Sequence, residues 1–227
     1  MIQKIENKKF KDKVRFFDVV GNKYPVARFG VDELRVGPGL SIYDFDVYEE
    51  NVDFVTKDLP GDRPKSWYGK FQDWVDLVWI DGSIGWPIFT KGASLFDFPH
   101  SAVYLAKDLK ILEEEGVFSP DCFIKVPIEL TEFGFVLIAQ TERGSHRFLL
   151  DTGASHSIYR DFEATSRTAT LLTVNVDGHD LGEWEFISFP FTTEFSECDG
   201  IIGIEFFQAH EMCFDVEGKS LYLRKVL

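Results

Sequence analysis

An acid at the end of an apolar run, set on a glycine turn, is the residue type and setting for proton transfer to and from water. The stretch is Phe148 to Tyr159, FLLDTGASHSIY. Three apolar residues deliver Asp151 to the end of a strand-like run, so its carboxyl is expected to be partly desolvated and its pKa raised. Gly153 permits a loop conformation closed to other residues and lets its own N–H approach the carboxylate. Ser155 is placed to donate to the same carboxylate, and Thr152 to bond across to an equivalent loop. A carboxyl so poised can hold a water and serve as its general base. The same aspartate, taken alone, also suits a turn in which it caps local N–H groups.

Other chemistries find little support. The three cysteines, Cys122, Cys198 and Cys213, are an odd number without CxxC spacing, which suits neither a disulfide framework nor a zinc site. The five histidines are scattered. HEMC, His210 to Cys213, is the nearest approach to a metal cluster and reads better as a packed segment, so no metal or organic cofactor is expected. A formal net charge of -14 argues against nucleic acid or an anionic membrane surface as a partner and leaves a cationic or neutral polypeptide open. No apolar run approaches the roughly 20 residues of a spanning helix. The opening residues, MIQKIENKKFKDKV, lack the apolar core of a signal peptide.

The elements that must position Asp151 are mostly strands. VRFFDVV-GNKYP-VARFGVDELRV, FVLIAQ-TERGSH-RFLL and LLTVNV-DGHD-LGEWEFISF each read as a hairpin around a turn-forming centre. SAVYLAKDLKILEEEG is expected to hold one short helix after a strand. Lys57 to Trp74, rich in Pro, Gly and charge, reads as an inserted surface loop. With 227 residues, 44% of them hydrophobic and 23 of them Phe, the chain can fill a sizeable core.

A repeat organises these pieces. Asp81 to Leu105, DGSIGWPIFTKGASLFDFPHSAVYL, aligns without a gap on Asp199 to Leu223, DGIIGIEFFQAHEMCFDVEGKSLYL, at an offset of 199 − 81 = 118. Nine of the 25 positions are identical, where chance would supply about one or two. The chain is therefore expected to carry two homologous lobes, 1–105 and 123–227, joined by a linker over 106–122.

FLLDTGAS, then DGIIGIEFF 48 residues on (199 − 151), then FDVEGKSLYL, resembles the retropepsin-like aspartic peptidases. The resemblance covers 124–227 and reaches 14–105 through the repeat. It implies an all-β fold of two retropepsin-like β-barrel lobes with short helices after the Ile-Gly motifs. It implies that a strand of the second motif holds the Asp151 loop. It implies an endopeptidase in which two aspartates share one proton and activate a water against an extended polypeptide. Asp151 is one of the two, supported by Thr152, Gly153 and Ser155.

The second acid is the open question, since no DTG occurs from Met1 to Leu105. Asp81 and Asp199 align with each other in the turn before the Ile-Gly motif and are poor substitutes. VRFFDVVGNKYPVARF resembles the hairpin that covers the cleft in two-lobed members, with Val20, Gly21 and Tyr24 near its tip. If that flap adds about 20 residues, the first lobe's aspartate falls about ten residues before Met1. The chain is then expected to begin inside its first lobe, which also leaves localisation open. Dimerisation is a second way to supply the partner acid. The alternative is an inactive module of the same fold that binds peptides by main-chain pairing.

Overall fold

The computed structural model describes residues 8–17, 23–36, 40–49, 86–190 and 197–226. The chain divides into two compact units, 1–17 with 22–85 and 18–21 with 86–227.

In the first unit, β1 (Lys8–Phe17), β2 (Lys23–Val36) and β3 (Leu40–Glu49) form an antiparallel sheet in the order β1-β2-β3. The hairpin read in this stretch forms, with Val14 paired to Val26, but Lys23, Tyr24 and Pro25, read as part of its turn, belong to β2 and pair with Phe17, Phe16 and Arg15. The register slips between Phe10 and Asp12, which places one extra residue, Lys11, in β1. The loop expected over 57–74 lies outside the described residues.

The second unit is built on strands as well. β4 (Ala93–Asp97) and β5 (Ala102–Ala106) form a hairpin after a short 3-10 turn, Trp86–Thr90. Helix α1 (Leu109–Glu114) follows, started by Asp108, whose side chain accepts from the Ile111 N–H. The expected linker, 106–122, carries this helix, as read from SAVYLAKDLKILEEEG, and a 3-10 turn, Pro120–Cys122. Then come β6 (Ile124–Thr131), β7 (Gly134–Thr141), β8 (Gly144–Leu150), β9 (Ile158–Arg160), β10 (Thr168–Val176) and β11 (His179–Phe189). The β10–β11 turn is Asp177-Gly178, both with positive φ, 50° and 82°, the conformation that Asp-Gly favours between hairpin strands. β12 (Gly200–Ile202), helix α2 (Ile204–Ala209), β13 (His210–Asp215) and β14 (Ser220–Lys225) close the chain.

Six of these strands, in the order β10-β11-β9-β12-β8-β7, close on themselves where Asn175 of β10 meets Gln140 of β7. Alternation puts Leu137, Phe148, Leu172, Val174 and Phe186 inside this barrel, each at most 1% exposed. Burying a side chain of this size contributes about 1.5–3 kcal/mol. β6 flanks the barrel at β7 and changes neighbours midway. Its second half pairs with β7 and its first half with β14, continuing as β14-β13-β4-β5. The fold is therefore all-β with a six-stranded barrel and few helices.

The repeat survives in three dimensions within this unit. Shifting β4–β5 by 118 gives the β13–β14 register pair for pair: Leu95 faces Tyr104 as Cys213 faces Tyr222, and Asp97 faces Ala102 as Asp215 faces Ser220. Ser101 and Lys219 both take positive φ, 53° and 48°. Asp97 and Asp215 each accept a backbone N–H three residues on, from His100 and Gly218. The two hairpins pair through β4 and β13, and that pairing is centred on Leu95 and Cys213, which the shift exchanges. The segment after the first Ile-Gly is a 3-10 turn where the second has α2. The first carries Pro87 in place of Glu205, which favours the start of a helical turn but removes a backbone donor.

Candidate functional site

Asp151 stands one residue beyond β8. β12 lies between β8 and β9, parallel to the first (Ile202 opposite Leu150) and antiparallel to the second (Ile201 opposite Ile158). The loop 151–157 therefore leaves one neighbour of β12 and returns on the other. Asp151 is fastened at its base by its N–H donating to the Ile202 carbonyl, 3.0 Å. Two glycines make the threading possible. A side chain at Gly200 would place its first carbon 2.8 Å from the Phe148 ring, and one at Gly203 would reach within 2.8 Å of the Ala154 carbonyl. The acid lies half-buried, while Thr152 and Gly153 are exposed.

The Gly153 N–H donates to Asp151 Oδ1 at 2.8 Å, and the Ala154 N–H donates to the Asp151 carbonyl at 3.1 Å. Burial pushes the Asp151 carboxyl above its ordinary 3.8, and the N–H groups of Gly153 and Ala154 pull it partly back. Burial and these two N–H groups set that balance.

Ser155 does not fill the expected donor role: it is exposed, and the carboxylate receives the Gly153 N–H instead. Thr152, expected to bond across to an equivalent loop, is exposed. Val20 and Gly21 lie outside the described residues. Tyr24 is described as the second residue of β2, opposite Phe16.

Three supporting residues escaped sequence reasoning. Ser157 is buried, and its Oγ accepts the Gly203 N–H at 3.0 Å. Its own N–H donates to Glu205 Oε1, so the acid on α2 grips the far end of the Asp151 loop. Ile204 N–H adds a bond to the Ala154 carbonyl, 2.9 Å. The available signal was an acid between Ile204 and the buried Phe206 and Phe207, a charge with no place in an apolar run unless it holds something. Asp199 is accounted for elsewhere: its Oδ2 accepts the Arg147 N–H at 2.9 Å, a turn role as expected.

No family model matches the chain, and no curated protein matches it. Among solved structures, the crystal structure of basic 7S globulin from soybean is similar, with 9% identity, a TM-score of 0.39, and coverage of 93% of this chain and 71% of that one. A likeness of that size carries no functional inference. Elsewhere, Asp97, His100 and Glu211 bring one ligand atom each within 4.8 Å of one another. They already have partners: Asp97 the His100 ring, and Glu211 the Arg224 guanidinium. No helix among the described residues is long and apolar enough to cross a membrane.

Proposed function

We propose that the chain is an aspartic endopeptidase of two retropepsin-like lobes, with Asp151 as one acid of a pair. The observation that carries this is the acid's setting. A half-buried carboxyl of raised pKa sits on a DTG loop, and the loop is closed by a strand threaded between its two neighbours. The matched registers of the two hairpins, centred on Leu95 and Cys213, support a twofold plan in which an equivalent loop faces Asp151.

In the reaction, one carboxylate takes a proton from water while the oxygen of that water attacks the scissile carbonyl carbon. The paired acid gives its proton to the carbonyl oxygen. Collapse of the tetrahedral species breaks the C–N bond, with a proton passing to the leaving nitrogen. Two close carboxyls cannot both ionise, which poises the pair for this exchange. The Gly153 N–H keeps Asp151 Oδ1 oriented and leaves its other oxygen for water.

The lack of a DTG from Met1 to Leu105 favours one alternative, an inactive module that binds extended peptides. The test separates the two. An unstructured protein is incubated with the chain at mildly acid pH, with and without a pepstatin-like inhibitor, alongside Asp151→Asn. Cleavage that both the inhibitor and the substitution abolish supports the peptidase. Peptide binding without cleavage overturns it in favour of the module.

A further inference from the structure

Away from the Asp151 loop, a cavity of about 500 Å³ opens between the start of β6, the tip of the β10–β11 hairpin and the end of β14. Ligand pockets run from about 300 to 1,000 Å³, so the space suits a molecule of amino-acid size. His210 forms part of its wall and is only 2% exposed. Its Nδ1 lies 2.9 Å from the Phe206 carbonyl. A carbonyl only accepts, so Nδ1 carries the hydrogen and Nε2 is left as an acceptor with no hydrogen bond among the described residues. Burial and the nearby Lys225 ammonium hold this imidazole below its ordinary 6.5, which keeps Nε2 unprotonated at neutral pH.

Charged residues of both signs line the cavity: Asp121 just before β6, Asp180, Arg224 and Lys225. Asp180 lines the cavity from the hairpin tip, with Oδ1 taken by the Gly182 N–H and Oδ2 left over. Arg224 is committed to Glu211 and lies over the Phe123 ring. Lys225, in no ion pair among the described residues, is the cation that remains. Phe123, Leu181 and Leu223 supply apolar wall. A simple anion would meet Asp121 and Asp180, and a simple cation would meet Lys225. A molecule carrying both charges satisfies both and can donate an N–H to His210 Nε2.

We propose that this cavity binds a free α-amino acid with an apolar side chain. Its carboxylate faces Lys225, its ammonium faces Asp180 and His210, and its side chain lies against the apolar wall. The site stands independently of the chemistry at Asp151.

The test is calorimetric titration of the full chain with L-phenylalanine, N-acetyl-L-phenylalanine and L-phenylalaninamide. Trp184 fluorescence is followed in parallel, because that indole lies 5.5 Å from the His210 ring. L-Phenylalanine is expected to bind saturably. Each blocked analogue should bind about tenfold more weakly or less, as one charge-assisted contact is lost. Lys225→Met, an exposed position, should weaken L-phenylalanine about tenfold and leave the amide unchanged. His210→Gln should weaken all three, with circular dichroism checking the fold. No saturable binding of L-phenylalanine overturns the site. So do equal affinities for the three compounds, or an affinity that Lys225→Met leaves unchanged.

Discussion

The β4–β5 and β13–β14 hairpins share their register, their left-handed turn residue and their capping aspartate. They differ in what lies on either side. β14 has β13 on one edge and β6 on the other, and its residues from Ser220 to Leu223 are buried. β5 ends the sheet order among the described residues, and its Val103 is 51% exposed where the equivalent Leu221 is 0%. The helical segment before each hairpin differs too, and only α2 carries an acid, Glu205, that reaches back to a loop. Among the described residues, one local design is thus repeated closely while the long-range strand partners that bury it stand at one copy. Local pairing is fixed by alternation and turn chemistry; burial and function come from what the rest of the chain brings to it.

The sharpest break of that comparison is at the acid itself. Asp151→Asn is expected to lower peptide cleavage by about 10³-fold, within the usual span for a positioned acid or base. Asp199→Asn, in the turn, should leave cleavage within a few-fold and instead cost about 1–2 kcal/mol through the Arg147 N–H. Equal losses of cleavage from both substitutions would mean the Asp151 loop has no special standing. Asp151→Asn also has a stability signature. The folded pKa is raised above the ordinary 3.8, so the folded chain binds that proton more tightly than the unfolded chain. The stabilisation is complete below pH 3.8 and is lost as pH rises through the folded pKa. Asparagine does not titrate, so the variant should gain on the parent chain from acid toward neutral pH. Urea midpoints across that range measure the gain, and a flat difference would contradict the raised pKa.

Next in size is the contrast at equivalent strand positions. Leu221→Ala should cost about 2–5 kcal/mol, as a fully buried leucine does. Val103→Ala, at the matching position, should stay within about 0.5 kcal/mol, as surface changes do. Denaturant unfolding of both variants gives the comparison directly. Similar costs at the two sites would show that β5 is covered after all.

The outcome at the site explains what could be read beforehand. Asp151 and Gly153 belong to one local unit, strand then turn, and alternation plus a glycine made them legible. So were the Asp177-Gly178 turn, the short helix at 109–114 and the offset of 118. Ser157 and Glu205 were not, because each acts on a partner 46 or 48 residues away, across a strand of only three residues. β9 and β12 are too short to carry a period, and β6 was hidden by Pro127, which argues against a central strand. The structure accommodates that proline where β6 passes from one neighbour to the other, and the next N–H, that of Ile128, reaches the Lys219 carbonyl. Ser157→Ala tests the hidden part. It leaves the Gly203 N–H without its acceptor and should cost about 1–3 kcal/mol, more than a serine on the exposed loop such as Ser155, where alanine should change little.

The smallest expected effect falls on the feature the two hairpins share most closely. Ser101 and Lys219 hold positive φ with side chains that disfavour it, at a cost of about 1–2 kcal/mol each. Glycine removes that strain but adds freedom to the unfolded chain, worth roughly 0.5–1 kcal/mol in the opposite sense. Ser101→Gly and Lys219→Gly should therefore each stabilise the chain by about 0.5 kcal/mol, read as a rise in the urea midpoint. The gain at Lys219 should be at least as large, because its carbonyl is held by the Ile128 N–H and its backbone stays fixed whichever residue stands there. A gain at one turn with a loss at the other would show that the shared φ hides unlike surroundings, and the equivalence of the two hairpins would then stop at their hydrogen-bond register.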